Sequence, residues 1–389
     1  MKTKISLTTV LSSTRLGLVF AVILALVGCG APPPTTTTVE NTPTEIMPTE
    51  TPIPNTATPI PSPTEIPKIV PQGYHAMAYD IESNKVILKP FETNYQYVLE
   101  SSAWAFDLDE KVWQKRADGP PKGEGPLAYD AQSDRTIMFI GMLGFLTKGT
   151  GQTWAYDYNT DTWMNMKPEE GPNNLLGPRM AYDSESDRVI LFGGWQSIGA
   201  GGWKASYDTW AYDYDTNTWT NMQPSGDIPQ GEINYYPISY DAGADRVLAW
   251  ICKVPSAGGV AGEECAMNSY DYNSNTWERR EMEPHPVNSC YNAMAYEPVT
   301  GLNIFYGGAS CDHEEVFDEF WGYDYASNTW TELSSKNPPS ARGWHAMVYH
   351  DQASGIILFG GGDSINTFTD ETWMYDPGTG EWSLIAGGQ

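Results

Sequence analysis

One unit, repeated along the chain, limits what this sequence can fold into. Its clearest copy, residues 179–222, reads RMAYDSESDRVILFGG, then a loop WQSIGAGGWKASY, then DTWAYDYDTNTWTNM. Met180–Tyr182 and Val189–Phe192 flank the polar turn DSESDR, and Thr209–Tyr214 and Thr218–Met222 flank Asp215-Thr216-Asn217. Short runs rich in Val, Ile, Trp, Tyr and Thr between Asp/Asn/Ser/Gly clusters predict two antiparallel hairpins. A single four-stranded sheet cannot bury both of its faces, so it needs neighbours of its own kind. The sequence supplies them. A Tyr closing the first run recurs at Tyr79, Tyr129, Tyr182, Tyr240, Tyr296 and Tyr349. A Trp opening the fourth recurs at Trp113, Trp163, Trp219, Trp277, Trp330 and Trp382.

A period near 50 residues with four strands per unit predicts a propeller. Here the chain resembles the kelch-repeat family. Phe192-Gly193-Gly194, Tyr306-Gly307-Gly308 and Phe359-Gly360-Gly361 match its double glycine, and the aromatic-Asp and Trp that follow match its third and fourth strands. The resemblance covers roughly Gly73 to Ile385 and implies an all-β, six-bladed kelch-type β-propeller over residues 71–389. It departs from the pattern at Lys89-Pro90 and Ile251-Cys252, where the glycines belong, and a family-like Arg precedes the first strand clearly only at Arg342. Each repeat holds its own first and fourth strands, so each blade is expected to come from one repeat, with no strand exchanged between the chain's ends.

Ahead of the repeats lie two segments of different composition. Residues 1–28 carry Lys2, Lys4 and Arg15 before the apolar run Leu16–Val27, which is too short to span a membrane and reads as a secretory signal peptide. It ends Leu26-Val27-Gly28-Cys29, which resembles the lipobox of bacterial lipoproteins and implies lipidation of Cys29. Residues 29–70 form the expected linker; Ala31–Pro67 holds 11 Pro and 11 Thr in 37 residues, too few apolar groups to offset the entropy of ordering. The whole reads as a disordered Pro/Thr-rich stalk that tethers a monomeric domain to a cell membrane or envelope, facing outside the cytoplasm.

Charge narrows the partners. The chain's formal charge is −27, which argues against nucleic acid and against a basic patch docking on anionic lipid. Beyond Cys29 there are four cysteines in a secreted context. Cys252 ends a second strand and Cys265 opens the third beside it; Cys290 begins a first strand and Cys311 follows its second. Of the three connectivities available, this placement favours Cys252–Cys265 and Cys290–Cys311. A metal site is the rival, but close CxxC pairs are missing, and no metal or cofactor is expected.

The turns after first strands (DIESNK, DAQSDR, DSESDR, DAGADR) and after third strands (DYNTDTW, DYDTNTW, DYNSNTW, DYASNTW) are stereotyped, whereas the loops between second and third strands differ in every repeat. Diversity on one face of a repeated scaffold marks that face as the working surface. Two residues there, Trp195 and Trp203, have no repeat position to explain them. A second group precedes the ruler tyrosines: Tyr74-His75, Tyr235-Tyr236, Tyr291-Asn292 and Trp344-His345. In a kelch blade these lead into the innermost strand, so Tyr74, His75, Tyr235, Tyr291, Asn292, Arg342, Trp344 and His345 are expected at the mouth of a central channel. Aromatic rings beside hydrogen-bonding groups suit a glycan, a peptide or a protein; their competing role is to fill the channel wall and cap strand ends.

Two functions follow. The first is a non-enzymatic extracytoplasmic binding module. The second, implied by the family, is a carbohydrate-active enzyme. A sialic acid mutarotase-like activity would draw on His75, His345 and Arg342. A galactose oxidase-like one has no visible copper set. Fold by itself licenses neither.

Overall fold

A computed structural model describes residues 69, 73, 75–90, 102–120, 125–141, 151–199, 202–230, 236–252, 265–287, 289–365 and 367–388. Cys29, the leader, the Pro/Thr-rich segment, Tyr74 and Tyr235 lie outside them. No helix occurs among the described residues. They form six sheets, each built on four antiparallel strands from one repeat, the fourth sheet gaining Ser225–Gly226 as a fifth, parallel edge strand, together with one separate three-stranded ribbon. Sheet 1 is Ala76–Asp80, Lys85–Lys89, Ser102–Asp107 and Val112–Asp118; sheet 2 is Leu127–Asp130, Arg135–Ile140, Gln152–Asp157 and Thr162–Asn165. Sheet 3 is Arg179–Asp183, Arg188–Phe192, Thr209–Asp213 and Thr218–Asn221; sheet 4 is Ile238–Asp241, Arg246–Cys252, Cys265–Asp271 and Thr276–Arg280. Sheet 5 is Ala293–Glu297, Leu302–Tyr306, Phe320–Asp324 and Thr329–Glu332; sheet 6 is Ala346–His350, Gly355–Phe359, Thr372–Asp376 and Glu381–Ala386. Each first strand lies beside those of the preceding and following sheets, and the first strand of sheet 6 lies beside that of sheet 1. No strand is exchanged between the ends, as the repeat register predicts. Ile69 instead packs its side chain into the core shared by sheets 1 and 6.

The core sits between sheets. Phe139 of sheet 2, Leu191 of sheet 3 and the ring of Trp219 share one cluster, and Tyr306, Leu358 and Trp382 share another. The repeated Trp also spans the gap by hydrogen bonding. Trp219 Nε1 donates to Thr153 Oγ1 at 2.7 Å, Trp277 to Thr209 at 2.9 Å, and Trp113 to Thr372 at 2.8 Å. In each case the acceptor is the Thr of a Thr-Trp-x-Tyr-Asp third strand in the preceding sheet, sheet 6 serving sheet 1. In sheets 1, 4 and 5 the matching residues are Ala103, Met267 and Phe320. There the buried Nε1 of Trp163, Trp330 and Trp382 has no partner.

The stereotyped turns hold themselves shut. Asp80, Asp130, Asp183 and Asp241 each accept backbone N–H groups two or three residues on. The ruler Tyr hydroxyl reaches the residue five places later: Tyr79 to Asn84, Tyr129 to Asp134, Tyr182 to Asp187 and Tyr240 to Asp245, at 2.9–3.0 Å. Those Asx residues have φ between 55° and 57°, which such side chains tolerate best after glycine. Links between sheets bond the outer edge of the next one: Ser225–Gly226 pairs in parallel with Thr276–Arg280, and Lys336 bridges Glu381 in the same sense.

The two departures from the glycine pattern have different outcomes. At Gly193-Gly194, Gly307-Gly308 and Gly360-Gly361 every φ is positive, and the chain leaves the ladder. In sheet 4 the ladder instead continues through Ile251↔Ala266 to Cys252↔Cys265, and the Cys252–Cys265 disulfide staples its end. The second bridge is Cys290–Cys311. Both pairings match those favoured by strand placement. Lys89 ends its strand, and Pro90 stops the ladder by lacking an N–H.

Candidate functional site

The short turns after first and third strands meet on one face. Asn159 Nδ2, from a third-strand turn, donates to Glu82 Oε2 and Asp134 Oδ2, both in first-strand turns of sheets 1 and 2. Asn273 repeats this with Glu185 Oε2 and Asp245 Oδ2. Asp183, Glu185 and Asp245 have oxygens within 4.8 Å of one another, the spacing a cation could use. The Asn273 amide already supplies positive hydrogens to two of them.

The opposite ends of the first strands frame a cavity of about 140 Å³. All six sheets contribute to it, through His75, Leu127, Arg179, Tyr236, Tyr291, Asn292, Trp344 and His345 among others. Among the described residues no carboxylate lines it, although the chain carries 49 Asp and Glu, and Arg179 is the one formally charged residue of its wall.

The residues leading into the strands also clasp adjacent sheets. His75 Nε2 bonds the Phe359 carbonyl of sheet 6 at 3.1 Å, leaving Nδ1 buried without a partner. Tyr236 makes the same contact with Phe192 O of sheet 3 at 2.7 Å. His345 sits against Tyr306 of sheet 5, with ring centroids 5.8 Å apart, and neither of its ring nitrogens has a hydrogen-bond partner. Asn292 donates to Ser289 O and Oγ, which leaves its buried Oδ1 without one. Burial favours the uncharged imidazole. It holds His75 at about 4, and His345 at about 3 with the charge of Arg342 adding to the effect. Both rings are therefore neutral at physiological pH, and they present unsatisfied polar atoms to the wall rather than charge.

An aromatic cluster stands beside them. Tyr291 lies 5.1 Å from Trp344 and 5.0 Å from His313, and Trp344 lies 5.6 Å from His313, between ring centroids. His313 Nε2 and the Tyr291 hydroxyl are 2.8 Å apart. The loop Asp312–Phe320 thus turns its His toward the aromatic cluster. Tyr291 and Trp344 have φ of 61° and 62°, the same left-handed step before sheets 5 and 6.

Most residues expected at a channel mouth are brought together here: His75, Tyr291, Asn292, Trp344 and His345 all line the cavity. Trp344 is only 2% exposed and contributes mostly packing. Arg342 does not line the cavity. Its guanidinium is buried and bonds Glu371 Oε2 at 2.7 Å, Ser340 Oγ and O, and Gly360 O, so it braces sheet 6. Trp195 and Trp203 do not line it either. They belong to a separate ribbon, Trp195–Gly199 paired with Gly202–Ala205 and backed by Leu175–Leu176. Both are half-buried, as diagonal neighbours on one face. Sequence reasoning named Tyr236 in its pair with Tyr235 but offered only Tyr235 as a site residue, and it passed over Arg179. The signal for both was positional: Tyr236 leads into the first strand of sheet 4, and Arg179 opens that of sheet 3.

Comparison with known proteins agrees with this architecture. The family model described as the KLHDC2/KLHL20/DRC7 Kelch-repeats domain matches residues 255–388. Rab9 effector protein with kelch motifs, from Xenopus laevis, is 25% identical over 221 residues, 53% of this chain and 55% of that protein. Multiple epidermal growth factor-like domains protein 8, from Homo sapiens, is 30% identical over 95 residues, 24% of this chain and 3% of that protein. The chain thus spans about half the length of the first relative and a small part of the second. With repeated four-stranded sheets, paired left-handed glycines and an inter-sheet Trp in register with the matched residues, the chain is similar to the kelch-repeat proteins, and residues 255–388 match the kelch-repeat model itself.

Proposed function

We propose that this protein is a six-bladed kelch propeller acting as a binding module outside the cytoplasm, anchored through a lipid on Cys29 and raised on the Pro/Thr-rich segment. Its partner is a protein or an extended peptide segment, engaged at the mouth of the central cavity by Tyr291, Arg179 and the diverse loops around them. The observation that carries this reading is the cavity wall: six sheets converge on it, yet among the described residues no carboxylate lines it. In a strongly acidic protein, a mouth whose described wall carries Arg179 and no carboxylate accepts acidic groups that the remaining surface repels. The name of the Rab9 effector relative describes an interaction protein, which supports the class and not the partner.

A photo-crosslinking residue at position 291 of the full chain, expressed in its native cells, tests the site. One discrete partner should be captured, and lost when Arg179→Ala is added. Capture that persists in the Arg179→Ala background removes the cavity mouth from the interface. Lipid labelling of the wild type and of Cys29→Ser tests the anchor separately; label that persists in the variant refutes it. The carbohydrate-active alternative retains His75 and His345 as neutral bases beside the cavity, but Arg342 is committed to Glu371. Sugar turnover abolished by His345→Ala would favour it.

A further inference from the structure

The ribbon of sheet 3 forms one wall of a second cleft, separate from the central cavity, with a volume of about 610 Å³. That lies within the roughly 300–1,000 Å³ that ligand sites span. The ribbon turns its two faces to different tasks. Trp195 and Trp203 share one face. Gln196 and Lys204, directly opposite each other in the ladder, alternate onto the other and line the cleft. Asn221, which ends the fourth strand of sheet 3, and Gln223 just past it line the cleft as well, with Tyr207 and Asp208 from the chain leading into the third strand.

We infer that this cleft binds a neutral oligosaccharide, using the amides of Gln196, Asn221 and Gln223 for sugar hydroxyls and Tyr207 as its aromatic surface. Four carboxamides line the cleft; Gln230 turns its Nε2 to the Ile228 carbonyl, and the other three supply donors and acceptors side by side, the combination that vicinal hydroxyls require. Asn221 Oδ1 is committed to the Gln223 backbone N–H at 3.2 Å, so its NH₂ group is the end available to ligand. The same turn cap joins Asn165 to Lys167 in sheet 2, where a cation replaces the second amide. Charge also selects. Among the described residues that line it, Lys204 and Asp208 cancel, so in a chain of −27 their combined charge favours neither an anion nor a cation. Ser206 Oγ donates to Asp208 Oδ2 at 3.2 Å and orients that carboxylate as an acceptor.

Calorimetric titration of the full chain with neutral linear tri- and tetrasaccharides of glucose, galactose, mannose and N-acetylglucosamine, to millimolar concentration, tests the inference. At least one should bind, with little dependence on salt, and Gln196→Ala combined with Lys204→Ala should weaken it about tenfold or more. Gln196 is half-buried and Lys204 exposed, so the fold should tolerate both changes. Gln223→Asn, which keeps a residue suited to its left-handed φ of 46°, gives a second variant expected to weaken binding. The inference is overturned if none of these sugars binds, if only sulfated or sialylated analogues bind, or if binding is unchanged in both variants.

Discussion

Replacing Thr153 by Val isolates the device that joins sheet to sheet. The substitution preserves β-branching and nearly preserves volume, but exchanges for a methyl the hydroxyl that accepts from Trp219 Nε1 at 2.7 Å. Thr153 is 1% exposed and Trp219 6%, so water cannot replace the lost acceptor. A typical buried hydrogen bond contributes about 1 kcal/mol net, and a donor left unsatisfied costs about 1–3 kcal/mol. Thr153→Val should therefore destabilise by about 1–3 kcal/mol, read from urea denaturation midpoints at unchanged m. Thr209→Val and Thr372→Val should cost similar amounts, because Trp277 and Trp113 donate to them at 2.9 and 2.8 Å. A double-mutant cycle with Trp219→Phe should return a coupling of about 1 kcal/mol. A loss below about 0.3 kcal/mol for Thr153→Val, or zero coupling, would refute the reasoning, since that is within the additivity error of unlinked sites.

Acid provides another test. His75 titrates at about 4 in the folded protein against 6.5 for the free side chain, so between these values the unfolded chain binds more protons. The stability conferred by the neutral ring is complete above pH 6.5 and is lost as pH falls toward 4, by up to about 3 kcal/mol; His345 extends the loss to about pH 3. His75→Gln with His345→Gln should flatten the stability slope across this range, and an unchanged slope would contradict their burial as neutral rings. Trp219→Ala should cost about 3–5 kcal/mol as a buried aromatic; a midpoint shift worth less than about 1 kcal/mol would undermine the repeat register. Cys252→Ser with Cys265→Ser removes a link across 13 residues and should cost roughly 2–3 kcal/mol, with an unshifted denaturation midpoint counting against a structural role. Arg342→Met should lower the melting temperature without altering partner capture at position 291, because the guanidinium braces Glu371 and Gly360 outside the cavity.

Periodicity explains why so much of the fold was legible in the sequence. An alternating strand buries one set of side chains, and a sheet of four can satisfy both faces only against copies of itself; six copies of Tyr and Trp therefore set both register and repeat count. The turns were legible because Asp, Asn and Ser bond their own backbone, a local interaction independent of the remaining chain. The disulfides followed from strands that had to be neighbours. Other features depended on groups far apart in sequence. Sequence position separates Arg342, which precedes its first strand, from Arg179, which opens one, but that Arg342 is tied to Glu371 while Arg179 lines the cavity was decided by the sheets on either side. Trp195 and Trp203 looked like part of the same surface as Trp344, but the ladder of their ribbon sets them apart from the central cavity. His75, with one ring nitrogen bonded, and His345, with neither, became neutral groups only because packing removed water from them, and burial of that kind is a property of the assembled sheets.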